Sequence, residues 1–150
     1  MDKTTIREAT LQDLEQIVAL LCDDTLGSAR EDATNMAAYK AAFEAIAADP
    51  NQVVLVMEKD LQIIGCVQIS YLPTLALQGS LRAELEGVRI HRNYRGTGLG
   101  KQLIQEAIRR AKLRGCKIVQ LTTNTARHDA IAFYKSLGFQ GSHLGMKCCI

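Results

Sequence analysis

The sequence predicts a single α/β (α+β mixed-sheet) domain spanning residues 1–150, with elements in the order βααβββαβαββ. Three observations lead there. Apolar residues recur with period two in some segments and at helical spacing in others, and the two kinds of segment alternate along the chain. An extended apolar run (Leu85, Val88, Ile90) feeds a glycine-dense turn, Arg95-Gly96-Thr97-Gly98-Leu99-Gly100, which opens directly into a helical pattern. Finally, 150 residues with 47% hydrophobic content suffice for one real core.

The elements follow in order. Thr4 to Glu8 alternates as a short strand. Thr10 caps a helix, with Asp13 in the reciprocal capping position, and Leu11, Leu14, Ile17, Val18 and Leu21 form its buried stripe. Residues 22–34 are polar and acidic and read as a connection. A second helix runs from about Asn35 to Ala48, with Tyr39, Phe43 and Ile46 on one face and Pro50 closing it off. Strands at Gln52–Glu58 and Leu61–Leu72 flank a tight Lys59-Asp60 turn. Residues 73–80 form a loop before a strand at Leu81–Ile90.

Ile104, Ala107, Ile108 and Ala111 define the helix after the glycine turn. Arg109, Arg110, Lys112 and Arg114 suit its negative end, and Gly115 suits its C′ position. Lys117 to Thr123 reads as a buried strand. Thr125 can cap a helix bearing Ala130, Phe133, Tyr134 and Leu137, stopped by Gly138, and Phe139 to Ile150 completes the sheet.

Composition narrows the function. A net charge of +2 is too small to argue for nucleic acid, and no apolar run is long enough to span a membrane. The N-terminal residues lack the apolar core of a signal peptide. The five cysteines (Cys22, Cys66, Cys116, Cys148, Cys149) show no C-x-x-C pair, so reduced cytosolic thiols and a cytoplasmic location are expected, the alternative being a redox-active Cys148-Cys149 pair. No trio of residues has convincing metal-ligand spacing, so no metal is expected.

A glycine-rich turn between strand and helix lets backbone N–H groups surround a phosphate at the positive end of the helix dipole. The dinucleotide fingerprint G-x-G-x-x-G fails here, because its last place is Lys101 counted from Gly96 and Leu103 counted from Gly98. The nucleotide loop G-x-x-x-x-G-K-[ST] fails as well. Its first glycine would be Arg95 and its metal-binding hydroxyl would be Gln102. What fits is [RQ]-x-x-G-x-[GA], as Arg95, Gly98 and Gly100. Downstream, Asn124, Ala130, Phe133, Tyr134, Leu137, Gly138 and Phe139 fit N-x(5)-A-x-x-F-Y-x-x-L-G-F.

The two motifs, in this order and at this separation, resemble the GCN5-related N-acetyltransferases, and the resemblance covers essentially the whole chain. Thr122-Thr123-Asn124, Arg127-His128-Asp129-Ala130 and Ser142-His143 make the C-terminal third most similar to the aminoalkylphosphonate N-acetyltransferases. The resemblance implies a fold with a splayed central strand pair that binds acetyl-CoA as co-substrate. It implies transfer of an acetyl group to a primary amine, with a small molecule as the expected acceptor, by direct attack through a tetrahedral intermediate. A homodimer is common among such proteins. The alternative on the same fold is a non-catalytic acyl-CoA-binding or sensing module.

Residue by residue, the resemblance implies that Val88 and Ile90 offer backbone groups to the pantetheine arm, beside a bulge for which Gly87 is well suited. The pyrophosphate would lie on the N–H groups of Arg95, Gly96, Thr97, Gly98, Leu99, Gly100 and Lys101. Tyr134 matches the tyrosine whose hydroxyl faces the coenzyme sulfur, a general acid for the departing thiolate; a tyrosine on an apolar helix face can equally be core. Glu86 is the candidate base, directly or through water, or else a solvated charge. Asn124 would hold the pantetheine or the bulge, or form an Asx turn. Arg127 would reach a phosphate of the coenzyme, or be solvated. On the acceptor side, Asp23, Asp24 and Glu31 suit a cationic amine, and Arg30 suits a carboxylate or phosphonate on the same molecule. Tyr71, Gln68 and His143 are further acceptor candidates.

Overall fold

The computed structural model describes residues 3–150. The elements are β1 (Thr4–Glu8), a 3-10 turn (Leu11–Asp13), α1 (Leu14–Cys22), α2 (Thr25–Arg30), α3 (Met36–Ala48), β2 (Gln52–Lys59), β3 (Gln62–Pro73), β4 (Leu81–Ile90), α4 (Leu99–Arg114), β5 (Ile118–Leu121) and α5 (His128–Ser136). The strands lie in the order β1-β2-β3-β4-β5. All neighbours are antiparallel except β4 and β5, which run parallel across the α4 crossover.

Two apolar layers hold the sheet. On one face Leu55, Ile69, Leu85, Leu103, Ile104 and Ala107 are buried against α4 and α5. On the other, Val56, Ile63 and Cys66 meet Ile17 and Leu20 of α1. The capping box at Thr10 and Asp13 forms as expected. Arg7 reaches Asp13 with both terminal nitrogens, at 2.7 and 2.9 Å, and Glu58 through Nε at 2.9 Å, tying β1 and β2 to the start of α1. The β2–β3 hairpin turns on Asp60 and Leu61, both with positive φ, as a two-residue turn requires.

Four details depart from the sequence-based expectation. The acidic connection contains the short helix α2, because Asp24 caps it by accepting from the Gly27 N–H. The strand expected over 117–123 contracts to Ile118–Leu121 and is half-buried at most. The last helix starts at His128, because Asn124 rather than Thr125 closes the preceding turn: its Oδ1 accepts from Ala126 N–H at 2.9 Å. Beyond Phe139 no strand forms among the described residues, so the sheet has five strands and not seven. Gly141 and Gly145 interrupt that stretch, and nothing covers its apolar residues: Leu144 and Met146 lie exposed.

Candidate active site

The site begins with a break in the regularity of β4. Its first half, Arg82 to Leu85, pairs with β3 on one side and with β5 on the other. After Leu85 the β5 pairing stops. On the β3 side the register shifts between Cys66↔Arg89 and Gln68↔Glu86, so β4 carries one extra residue at this point. That is a bulge, and Gly87 sits in it with φ +61°. From Glu86 to Ile90 one edge of β4 has no strand partner. The bulge is present at the expected glycine, and the β5 pairing ends just before it, where β5 itself ends at Leu121.

The glycine turn continues from this open edge. Gly96 (φ +74°) and Gly98 (φ +86°) are left-handed, and a Cβ built on either would meet nothing within 4 Å. They keep open space above the loop. Gly100 plays a different part: its Cβ would lie 3.3 Å from Phe133 Cζ, so this glycine lets α4 and α5 approach each other. The N–H groups of Gly98, Leu99, Gly100 and Lys101 find no acceptor among the described residues, as befits the first turn of a helix. The Arg95 side chain braces the loop from beneath. Its Nε donates to Ile90 O and its Nη2 to Asp23 O, both at 3.0 Å.

Tyr134 lies on α5, packed against Phe133 and Phe139 with ring centroids 5.2 and 5.7 Å apart. Its ring is core, but its hydroxyl makes no hydrogen bond to any described residue. Burial raises its pKa above the ordinary tyrosine value, while the charges of Arg89 and Arg127 pull the other way. The group is therefore protonated at neutral pH and able to donate.

A polar strip covers the opposite face of the sheet. Gln68 pairs across the strands with Glu86, Ser70 with both Gln52 and Glu84, and Glu84 with Gln120. Gln52 Oε1 accepts from Ser70 Oγ at 2.7 Å and Gln68 Nε2 at 3.2 Å, and Gln120 Nε2 donates to Glu84 Oε2 at 3.1 Å. Glu86 ends the strip at the bulge. Its side chain is exposed and makes no hydrogen bond or ion pair with the described residues.

Asp24 is held at the mouth of this face. Burial alone would raise its pKa, but the Gly27 N–H, the Arg127 hydrogen bond and the charges of Arg89 and Arg127 keep it below the usual carboxylate range. Arg127 Nη1 lies 2.7 Å from Asp24 Oδ2, and Arg89 Nε lies 3.6 Å from the same oxygen. Asp23 instead pairs with Arg92 at 3.2 Å and Arg95 at 3.7 Å, linking the end of α1 to the glycine loop. Arg30 pairs with Glu31 at 3.0 Å, and Glu31 also accepts from the Tyr39 hydroxyl at 2.8 Å.

Two acceptor candidates lie elsewhere. Tyr71 is buried on the α4 face, its ring 4.4 Å from the Arg114 guanidinium near the C-terminal end of α4. Strand alternation explains this: Gln68 and Ser70 face the polar strip, so Tyr71 faces away. His143 lies in the exposed stretch after α5, and its one hydrogen-bond partner among the described residues is Ser142, at 2.7 Å. Asn124 closes its Asx turn with its carbonyl oxygen. Arg89 was missed by sequence reasoning. The available signal was a lone arginine between Val88 and Ile90, turned to the opposite face by strand alternation. Among the described residues no group of three or more His, Cys, Asp or Glu could hold a metal ion.

Comparison with known proteins agrees with this geometry. The family model described as "Acetyltransferase (GNAT) family" matches residues 14–139. The chain is 25% identical over 138 residues to an aminoalkylphosphonate N-acetyltransferase of Salmonella typhimurium, covering 92% of this chain and 86% of that protein. Among solved structures, one described as a transcriptional regulator from Bacillus halodurans C-125 superposes with a TM-score of 0.95 at 47% identity, covering 99% of this chain and 100% of that one. An aminoglycoside N-acetyltransferase in complex with CoA shares the fold with a TM-score of 0.83 at 20% identity, covering 100% and 96% of the two chains.

Proposed function

The chain belongs to the acetyltransferase (GNAT) family, and we propose that it is an N-acetyltransferase moving the acetyl group of acetyl-CoA to the primary amine of a small molecule, by direct attack through a tetrahedral intermediate. One observation carries the reading: the open edge of β4 over residues 86–90 leads straight into a glycine turn whose helix-capping N–H groups have no acceptor among the described residues. The first feature suits an amide-bearing arm such as pantetheine, with Val88 and Ile90 as its backbone partners. The second suits the pyrophosphate, held by residues 95–101. The relatives named as an aminoalkylphosphonate and an aminoglycoside N-acetyltransferase support an amine acceptor.

The remaining residues divide the chemistry. Glu86, exposed at the end of the polar strip, takes the proton from the incoming amine, directly or through a water. Tyr134 gives a proton to the departing thiolate, which its raised pKa and unpaired hydroxyl permit. Direct attack is favoured over a covalent relay because Cys66, the cysteine nearest the bulge, has its thiol pushed up to about 12 by burial. It stays a thiol, and a thiol is a poor nucleophile. A cytoplasmic, homodimeric enzyme belongs to the same proposal.

The decisive experiment incubates purified protein with acetyl-CoA and a panel of primary amines and follows thiol release. Amine-dependent release establishes the reading. Tight acetyl-CoA binding without release on any amine would establish the binding-module alternative instead.

A further inference from the structure

The chain exposes more surface than a folded monomer of its size. Monomers of 16.5 kDa expose about 7,500 Å², whereas this chain exposes 9836 Å². The excess is about 2,300 Å². The buried core also stops well short of the last residue. From Lys112 to Ile150 no residue is buried.

That end of the molecule holds β5, α5 and the tail, residues 140–150. β5 is the last strand of the sheet, so its outer edge is open. Lys117 N–H donates inward to Leu81 O at 2.9 Å, so by strand alternation the N–H groups of Ile118 and Gln120 point to that open edge. Val119 and Leu121 on β5, and Phe133 and Tyr134 on α5, pack on the larger core but are only partly buried. The apolar layer here is one covering strand short.

The tail has the pattern of such a strand. Leu144, Met146, Cys148 and Ile150 alternate with Gly145, Lys147 and Cys149. Leu144 and Met146 are 80% and 87% exposed, and residues 140–150 make no backbone hydrogen bond to other described residues. The tail does not run along its own β5. A Cβ on Gly145 would meet Thr122 Cγ2 at 3.5 Å, so the tail passes β5 one residue beyond its end at Leu121.

An open edge and an unpaired alternating segment on one chain are complementary between two copies. We infer that the protein forms a two-fold dimer in which the tail of each copy, over residues 144–150, adds as a sixth strand to the outer edge of the other copy's β5. The contact closes on itself, since each copy gives one tail and takes one. It satisfies the outward N–H groups of β5 and covers the apolar face of the tail. Two copies burying their excess surface against one another fall in the range of permanent dimers, roughly 2,000–5,000 Å². The exchange gives the proposed homodimer its contact and rests on no part of the acetyl-transfer chemistry.

Sedimentation velocity and hydrogen exchange on the full chain test it. The parent should sediment as two chains of 16.5 kDa each. The N–H groups of Ile118, Gln120 and the tail should be protected, and that protection should be lost on dilution to monomer. Met146→Asp puts a charge on the apolar face of the tail. Ile118→Pro removes an outward N–H at the first residue of β5, a strand position that proline tolerates. Each variant alone should sediment as a monomer. An equimolar mixture of the two should regain a two-chain species, because the intact tail of one still finds the intact edge of the other. A monomeric parent, its tail protected or not, overturns the exchange and the homodimer together. A dimeric parent with an unprotected tail, a dimer that survives both substitutions, or a mixture that stays monomeric overturns the exchange alone. Where circular dichroism shows either variant unfolded, the parent's mass and tail protection decide. Thiol release in the amine panel is a separate readout, so the acetyltransferase reading neither stands nor falls with these outcomes.

Discussion

The two halves of β4 have the same backbone chemistry and opposite uses. Residues 82–85 are paired on both edges, and Ala83 and Leu85 are buried in the larger core. Residues 86–90, beyond a single glycine bulge, keep one edge unpaired and place Glu86, Val88, Arg89 and Ile90 around the gap. The first half is held by backbone pairing along both of its edges. The second is left unsaturated, and that supplies places for a ligand. An unpaired strand edge is ordinarily a liability, so its survival inside the sheet is itself a pointer to a bound molecule.

Substitutions on either side of the bulge sharpen this contrast. The largest effect is expected at Tyr134 on α5, the proposed acid for the ligand held by the open half. Tyr134→Phe should lower kcat by roughly 10²–10⁴-fold, the usual contribution of a positioned general acid. Its melting temperature should move little, since the hydroxyl makes no hydrogen bond to any described residue. Near-parental kcat would return Tyr134 to a packing role. With its pKa raised, the parent should lose this acid only as pH climbs beyond the ordinary tyrosine value of about 10, so no loss from this group is expected between pH 7 and 9.

In the closed half, Leu85→Ala should cost about 2–5 kcal/mol of stability by opening a cavity beneath α4, measured by denaturant unfolding. Acetyl-CoA affinity should survive wherever the protein remains folded. A large loss of affinity in folded protein would mean that the two halves are not separable.

Glu86→Gln should lower turnover near neutral pH by about 100-fold, at the low end for a general base, with partial recovery as pH approaches the pKa of the amine. A pH–rate profile parallel to the parent's would remove Glu86 from the mechanism.

The smallest effect tests the bulge itself. Gly87→Ala forces a side chain into φ +61°, while its Cβ would make only ordinary contact with Leu21 Cδ2 at 3.4 Å. The expected cost is about 1 kcal/mol of backbone strain, seen as a lower midpoint of unfolding. A more stable variant would show that the bulge does not need the left-handed conformation.

Local chemistry made much of this legible in advance. Gly87 was expected at the bulge and stands there, since positive φ is cheap for glycine alone. The glycine turn, the capping box at Thr10 and Asp13, and the Gly115 C-cap depend on residues a few positions apart, and each formed. The expected strand over 139–150 failed for the complementary reason. Its pattern is a local property, but a strand also needs hydrogen bonds to a neighbour and a covered face, and among the described residues this stretch has neither, although the outer edge of β5 is open.

By itself, then, the sequence determined the α/β class, the glycine turn between β4 and α4, and the strand and helix that carry Glu86 and Tyr134, because those rest on spacing within a helix, strand or turn. Tertiary structure decided everything that needed two distant segments to meet. It joined Asp24 to Arg127 across 103 positions of chain, tied Asp23 to Arg95, turned Tyr71 away beneath Arg114, and left Arg89 buried beside half a carboxylate. The strength and geometry of ion pairs depend on burial and on three-dimensional distance, and neither is a function of position along the chain.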